Sequence, residues 1–312
     1  MNIPGFVTII RWSVAVSLVA VLLFVVGLDE IAANFSGLRF WWAISGVILL
    51  IMMNAIGGFN VWILLRVLVP IDTAKFIRAY LFGWAVGLVT PGQMGDAAQV
   101  LLLKKSGVEY AKSGAAYLLD KSISVAMLAC IAFYGGLLYL KDFSLMWLVL
   151  FLFLVALISG GTVMLIIKLP GSHPYQEKLR RLVLNTFDKV LVFRRNIKVV
   201  LLNILLTFCK WLLLAICYYC VFRAFSAEIS LRSAAFIPIL STLVGYIPIS
   251  VGGIGTVELT AVYLFGLEGL GKPTVMSAYI FLRVTQYMLA VPFIAWQSLG
   301  NSLNEQSAGS LT

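Results

Sequence analysis

Ala79-Tyr80-Leu81-Phe82-Gly83-Trp84-Ala85-Val86-Gly87-Leu88-Val89-Thr90-Pro91-Gly92-Gln93-Met94-Gly95-Asp96 is the stretch whose reading decides the fold. An apolar run from Ala79 to Val89 stops at Thr90-Pro91-Gly92-Gln93-Met94-Gly95-Asp96, and Ala97 to Leu103 resumes it before Lys104 and Lys105. A helix needs about 20 apolar residues to cross a bilayer core, so neither run crosses alone. Together they predict a helix, a glycine-rich turn and a helix returning to its own side. A second stretch has the same form: Ala234 to Ile247, an interruption at Pro248-Ile249-Ser250-Val251-Gly252-Gly253-Ile254-Gly255, then Thr256 to Leu267. Pro91 and Pro248 end the incoming helices by withholding an N–H and restricting the residue before them. Gly92, Gly95, Gly252, Gly253 and Gly255, with Gln93 and Ser250, shape the two breaks.

Around these elements lie longer apolar runs at about 12–28, 41–69, 112–140, 144–167, 199–222 and 274–297. The composition agrees: 62% of the 312 residues are apolar and 12% charged, with a mean hydropathy of +1.02, about half the charge of a soluble domain. Long runs without period-two alternation exclude an outer-membrane barrel and leave helices. The fold class expected is an all-α polytopic membrane protein with six full spans and two re-entrant helical hairpins; eight plain crossings are the alternative. One transmembrane domain covers 1–299, and the polar segment 300–312 reads as a disordered tail.

The net charge of +10 sits mainly outside the spans. Lys168, Lys178, Arg180, Arg181, Lys189, Arg194, Arg195 and Lys198 fall in one connecting segment, opposed by Glu177 and Asp188. The positive-inside rule puts that 168–198 loop and the N-terminus in the cytoplasm. The Arg66–Arg78 and Lys104–Lys112 clusters join them only if the first broken element enters and leaves on one side. Span, hairpin, span at 41–140 then matches span, hairpin, span at 199–297 with opposite sidedness, an inverted repeat of the kind whose breaks meet at a transport site.

Charges at mid-membrane cost about 2.5–3.5 kcal/mol each on insertion scales and need partners or a function. Helix rise places Lys121, Lys210 and Arg283 near the midplane, Asp120 beside Lys121, and Asp96 and Glu258 just past the two breaks. They could neutralise one another or line a polar cavity for a charged headgroup, the cations on phosphate and the acids as partners or proton carriers. In the first turn of a helix a carboxylate also caps free N–H groups, which alone accounts for Asp96 and Glu258. Gly83 and Gly87 have the spacing of close helix packing, and Asn54, Asn60 and Gln286 read as interhelical hydrogen-bond partners. Cys130, Cys209, Cys217 and Cys220 read as small core residues rather than a redox pair.

Other chemistries find no footing. The single histidine, His173, offers no metal cluster and no nucleophile–base pair, no ATPase phosphate-binding motif is present, and no folded basic domain exists to bind nucleic acid. No cofactor is expected, and a transporter rather than an enzyme is favoured.

The two breaks, with Leu102, Lys104, Lys105 and Gly107 after the first and Ile247 to Glu258 as the second, resemble the signatures of the lysylphosphatidylglycerol synthase transmembrane-region family. Asp120-Lys121 is similar to the acid–base pair many members carry. The resemblance covers roughly 10–299 and implies a flippase-like module moving a phospholipid or a polyprenyl-phosphate-linked lipid in the cell inner membrane. Its partners would be membrane lipids and a lipid-modifying synthase or glycosyltransferase. An accessory protein or enzyme of lipid-linked glycan assembly is the alternative. No synthase domain follows the last span, so synthase activity is not expected. Gln93, Asp96 and Gln99 stand where the family's pattern has glycine, glutamate and arginine.

Overall fold

The computed structural model describes residues 27–90, 95–139, 174–245 and 250–309, with the isolated positions 16, 17, 20 and 24 before them. The span expected at 144–167 lies outside the described residues, as does most of the span at 12–28. So do Pro91, Gly92, Gln93, Pro248 and His173.

Every described element is helical. In chain order these are α1 (Leu28–Ser36), α2 (Phe40–Leu68), α3 (Thr73–Val89), α4 (Gly95–Lys105), α5 (Tyr110–Tyr139), α6 (Pro174–Leu191), a 3₁₀ turn Val192–Arg195, α7 (Ile197–Ala224), α8 (Leu231–Gly245), α9 (Thr256–Leu267) and α10 (Lys272–Gly309). Among the described residues four helices are long and apolar enough to cross a membrane: α2, α5, α7 and Lys272–Phe293 of α10. The chain is an all-α polytopic membrane protein.

The arms α3 and α4 have 17 and 11 residues, or about 26 and 17 Å at 1.5 Å per residue, against a hydrocarbon core of about 30 Å. They lie antiparallel and in close contact. A Cβ on Gly87 would sit 3.4 Å from Cα of Gly95, and one on Gly83 would meet the Gln99 side chain and, at 2.8 Å, the Gly95 carbonyl. The small-residue spacing read from the sequence is thus a backbone-to-backbone seam. In the second hairpin α8 and α9 pack likewise, with Gly245 against Gly253 and Val257.

The halves interlock. The two equivalent first spans, α2 and α7, form the broadest helix contact, and each hairpin's first arm packs on the last span of the other half: α3 on α10, α8 on α5. At the α2–α7 crossing Gly46 admits Val221, and the Cys217 thiol donates to the Gly46 carbonyl at 3.3 Å. Cys217 and Cys220 are buried packing residues, while Cys130 is exposed. Asn60 of α2 donates to Thr207 of α7 at 2.9 Å, an interhelical bond in an apolar seam.

Lys75 and Arg78 lie in the first turns of α3, which starts one residue after Asp72, whose carboxylate accepts from the Lys75 N–H at 2.9 Å. The basic 168–198 segment, expected as a loop, is largely the helix α6, because its Leu and Val residues recur at helical spacing between the cations. The last helix, α10, is described to Gly309.

Candidate functional site

The six charged residues singled out at mid-membrane, Asp96, Asp120, Lys121, Lys210, Glu258 and Arg283, line one cavity of about 390 Å³. Each comes from a different local logic. Gly252, Gly253 and Gly255 take φ of 57°, 73° and 84°, values that favour glycine, and so turn the chain sharply into α9. That turn seats the Gly255 N–H on the Glu258 carboxylate at 2.7 Å, a capping interaction. The other carboxylate oxygen takes two donors from Arg283, Nε at 2.7 Å and Nη2 at 2.6 Å, and Arg283 also donates to the Gly252 carbonyl at 3.4 Å. The tip of the second hairpin is therefore clamped to the last span.

The first hairpin carries the matching pair in a looser form. Lys121 Nζ lies 2.9 Å from Asp96, with side chains 41% and 36% exposed, against 22% and 6% for Arg283 and Glu258. One half thus holds a sealed pair and the other a pair open to the cavity. The two breaks approach each other: a Cβ on Gly252 would stand 3.1 Å from the Leu88 carbonyl near the end of α3. Gly95 and Gly252 line the cavity. Ser250 is buried at the turn, its hydroxyl 3.3 Å from that of Thr256, and together with Gly253 and Gly255 it shapes the break rather than the wall.

Asp120 and Lys210 complete the floor. Asp120 accepts from Asn203 Nδ2 at 2.9 Å, and the same amide reaches the Asn60 carbonyl at 3.3 Å. A carboxylate on α5 is thereby tied to α7 and α2. Lys210 reaches the Ser124 hydroxyl at 3.5 Å and lies over the Trp211 ring.

Tyr80, Tyr117, Ser124 and Tyr279 line the cavity and escaped sequence reading, and Gln99, noted there only as a departure from the family's pattern, lines it too. Gln99 is 3% exposed and its carbonyl oxygen has no partner within the described residues. Gln286, read as a helix-bonding amide, also faces the cavity. A signal was available. Gly83, Asp96, Tyr117 and Lys121 recur at a constant offset as Gly245, Glu258, Tyr279 and Arg283 (258 − 96 = 162, 283 − 121 = 162). Acid and base are 25 residues apart in each half (121 − 96 and 283 − 258). The equivalence of the two ion pairs is thus written in the sequence.

Among the described residues no group of His, Cys, Asp and Glu is placed to hold a metal ion. The arrangement is a neutral set of three acids and three bases, from both halves of the chain, around one polar space between broken helices. It can desolvate a small charged group and offer it both signs of charge.

Fold and cavity define a class: a multi-pass helical membrane protein built around two broken helical hairpins with an ionised cavity between them. The chain belongs to the lysylphosphatidylglycerol synthase TM region family, whose profile matches residues 10–293. It is similar to a UPF0104 membrane protein of Methanocaldococcus jannaschii, 24% identical over 222 residues that cover 67% of this chain and 90% of the relative. It is also similar to a UPF0104 membrane protein of Methanothermobacter thermautotrophicus, 28% identical over 138 residues, 43% of this chain and 41% of that one.

Proposed function

We propose that the protein carries an amphipathic, phosphate-bearing lipid between leaflets, the headgroup passing through the cavity and the hydrocarbon chains staying in the bilayer. One observation carries the reading: the six mid-membrane charges, scattered from 96 to 283 in sequence, converge on one cavity between the two hairpin tips. Ionised groups kept at this depth only to neutralise each other would be sealed, as Glu258 and Arg283 are. Asp96 and Lys121 are not.

The cavity groups divide by role. Lys121 and Lys210 take the headgroup phosphate, because the Lys121–Asp96 pair is open to the cavity and an anion can displace its carboxylate. Asp96, once displaced, accepts a proton or the cationic part of a zwitterionic headgroup. Arg283 and Glu258 fix the second hairpin tip. With the N-terminus and α6 on the cytoplasmic side of the cell inner membrane, α3 and α4 dip in from the cytoplasm and α8 and α9 from outside. The family's name ties such membrane regions to a synthase of a charged phospholipid, which supports a lipid as substrate.

The test is reconstitution. Proteoliposomes with a fluorescent anionic phospholipid should expose the inner-leaflet probe to a membrane-impermeant quencher faster than protein-free vesicles do. Lys121→Gln should lose that gain while remaining folded. Equal exposure rates for Lys121→Gln/Lys210→Gln and the unaltered protein would remove the headgroup role.

A further inference from the structure

Beside the polar cavity lies a second space of about 700 Å³, in the seam between α2 and α3 and closed at one end by α10. Its lining differs in kind: Ile51, Phe59 and Trp62 from α2, Ile77 from α3, and Leu289 and Phe293 from α10. Ile51, Phe59 and Ile77 are each about half exposed, at 48%, 45% and 47%, so the groove opens sideways into the lipid. Tyr80 and Trp84 line both spaces, with the cavity on one side and the groove on the other.

Tyr80 is a strut. Its hydroxyl donates to the Asn54 carbonyl across the seam at 3.1 Å. Gly57 and Gly58 leave room for it, since a Cβ on Gly57 would stand 2.6 Å from the tyrosine oxygen and one on Gly58 3.0 Å from the ring. At the loop end the seam is closed by Leu64, Leu65, Phe76 and Ala79. Elsewhere α2 and α3 hardly touch, whereas their counterparts in the other half, α7 and α8, are in much more extensive contact. An inverted repeat would make both seams alike. Only one is open.

We infer that the α2–α3 seam is a lateral portal: a lipid whose phosphate lies at Lys121 and Lys210 keeps a hydrocarbon chain in the groove, passing beside Tyr80 and Trp84. This rests on the lipid-carrying reading and adds the place and the side. The groove spans the half of the membrane in which α3 begins, next to Arg66 and Lys75. A chain gains nothing by leaving lipid for an apolar groove, because both are hydrocarbon-like surroundings. The groove's role is to let the chain remain apolar while the headgroup sits in the cavity, so its occupancy depends on the headgroup anchor. That dependence separates it from lipid packed around any membrane protein.

The experiment uses the full chain in nanodiscs of phosphatidylcholine containing a small fraction of phosphatidylglycerol with a diazirine midway along one acyl chain. Photolabelled peptides are mapped by mass spectrometry, beside the translocation assay on the same preparations. Labels should fall at 51–62 and 76–84. They should drop about tenfold in Lys121→Gln/Lys210→Gln, as loss of charge-assisted bonds to the phosphate requires, and on filling the groove with Ala55→Phe. In the unaltered protein they should also drop when the diazirine is carried by diacylglycerol, which has no phosphate, a comparison that needs no variant to fold. Labels equal for both lipids, or unchanged without the lysines, would overturn the portal as an annular lipid site. Labels at α7–α8 with translocation intact would overturn the portal alone. Label-free 51–62 with a Phe59→Cys crosslink between copies would assign the groove to a second chain. Absence of both labelling and translocation would remove the transport reading with it.

Discussion

The contrast between the two ion pairs can be tested by removing the base from each. Arg283→Met leaves the Glu258 carboxylate 6% exposed with the Gly255 N–H as its remaining hydrogen-bond donor among those described. Breaking a buried pair by deleting one partner costs about 3–5 kcal/mol, because the other charge stays desolvated. Lys121→Met exposes Asp96 to a cavity in which it is already 36% accessible, and pairs of that kind contribute about 0–1 kcal/mol. The two changes delete the same number of charges at equivalent positions, yet should differ by about 2–5 kcal/mol in stability. Adding Glu258→Gln to Arg283→Met should restore most of the loss, since the amide can still cap the α9 terminus and no charge remains unpaired. The assay is equilibrium unfolding in a denaturing-detergent titration, followed by intrinsic tryptophan fluorescence. Equal losses for Arg283→Met and Lys121→Met, or a double variant no better than Arg283→Met alone, would refute the assignment of one pair to structure and the other to substrate.

Other variants separate packing from chemistry. Gly95→Ala would place a Cβ 2.9 Å from Cα of Gly87, backbone that cannot swing aside. It should cost about 1–3 kcal/mol as overpacking and lower translocation by splaying α3 from α4. Gly266→Ala meets nothing within 4 Å and should leave transport intact while stabilising α9 by about 0.5–1 kcal/mol in the same titration. Asn203→Leu removes the amide that holds Asp120 at 2.9 Å; leaving that carboxylate underbonded should cost about 1–3 kcal/mol, and Asp120→Asn should not add fully to it, read as a double-mutant cycle.

Much of this architecture was legible from runs and breaks. The length of the apolar segments predicts α2, α5, α7 and the membrane part of α10 to within a few residues, since lipid leaves a backbone little choice but helix. The rarity of charge inside those runs marks Asp96, Asp120, Lys121, Lys210, Glu258 and Arg283, and all six reach one cavity. What the sequence hides is exposure and partnership. Asp96–Lys121 and Glu258–Arg283 look alike in type and spacing, and only packing seals one and opens the other. Asn203 finds Asp120 across 83 residues, and Tyr80 reads as one more aromatic in an apolar run until Gly57 and Gly58 are seen to seat it. The helix α6 was obscured because its cations dominate a segment whose apolar stripe is narrow.

Hairpins that dip into the membrane from opposite sides and meet at its centre are tested most directly by the sidedness of their flanking loops. In a variant lacking Cys130, Cys209, Cys217 and Cys220, single cysteines at Asp72, Ser106, Ser226 and Gly271 would be challenged with an impermeant thiol reagent from each side of sealed inverted and right-side-out vesicles. Asp72→Cys and Ser106→Cys should label from one face, and Ser226→Cys and Gly271→Cys from the other. Labelling of Asp72→Cys and Ser106→Cys from opposite faces would make α3 and α4 a crossing, and the meeting of two re-entrant tips would be contradicted.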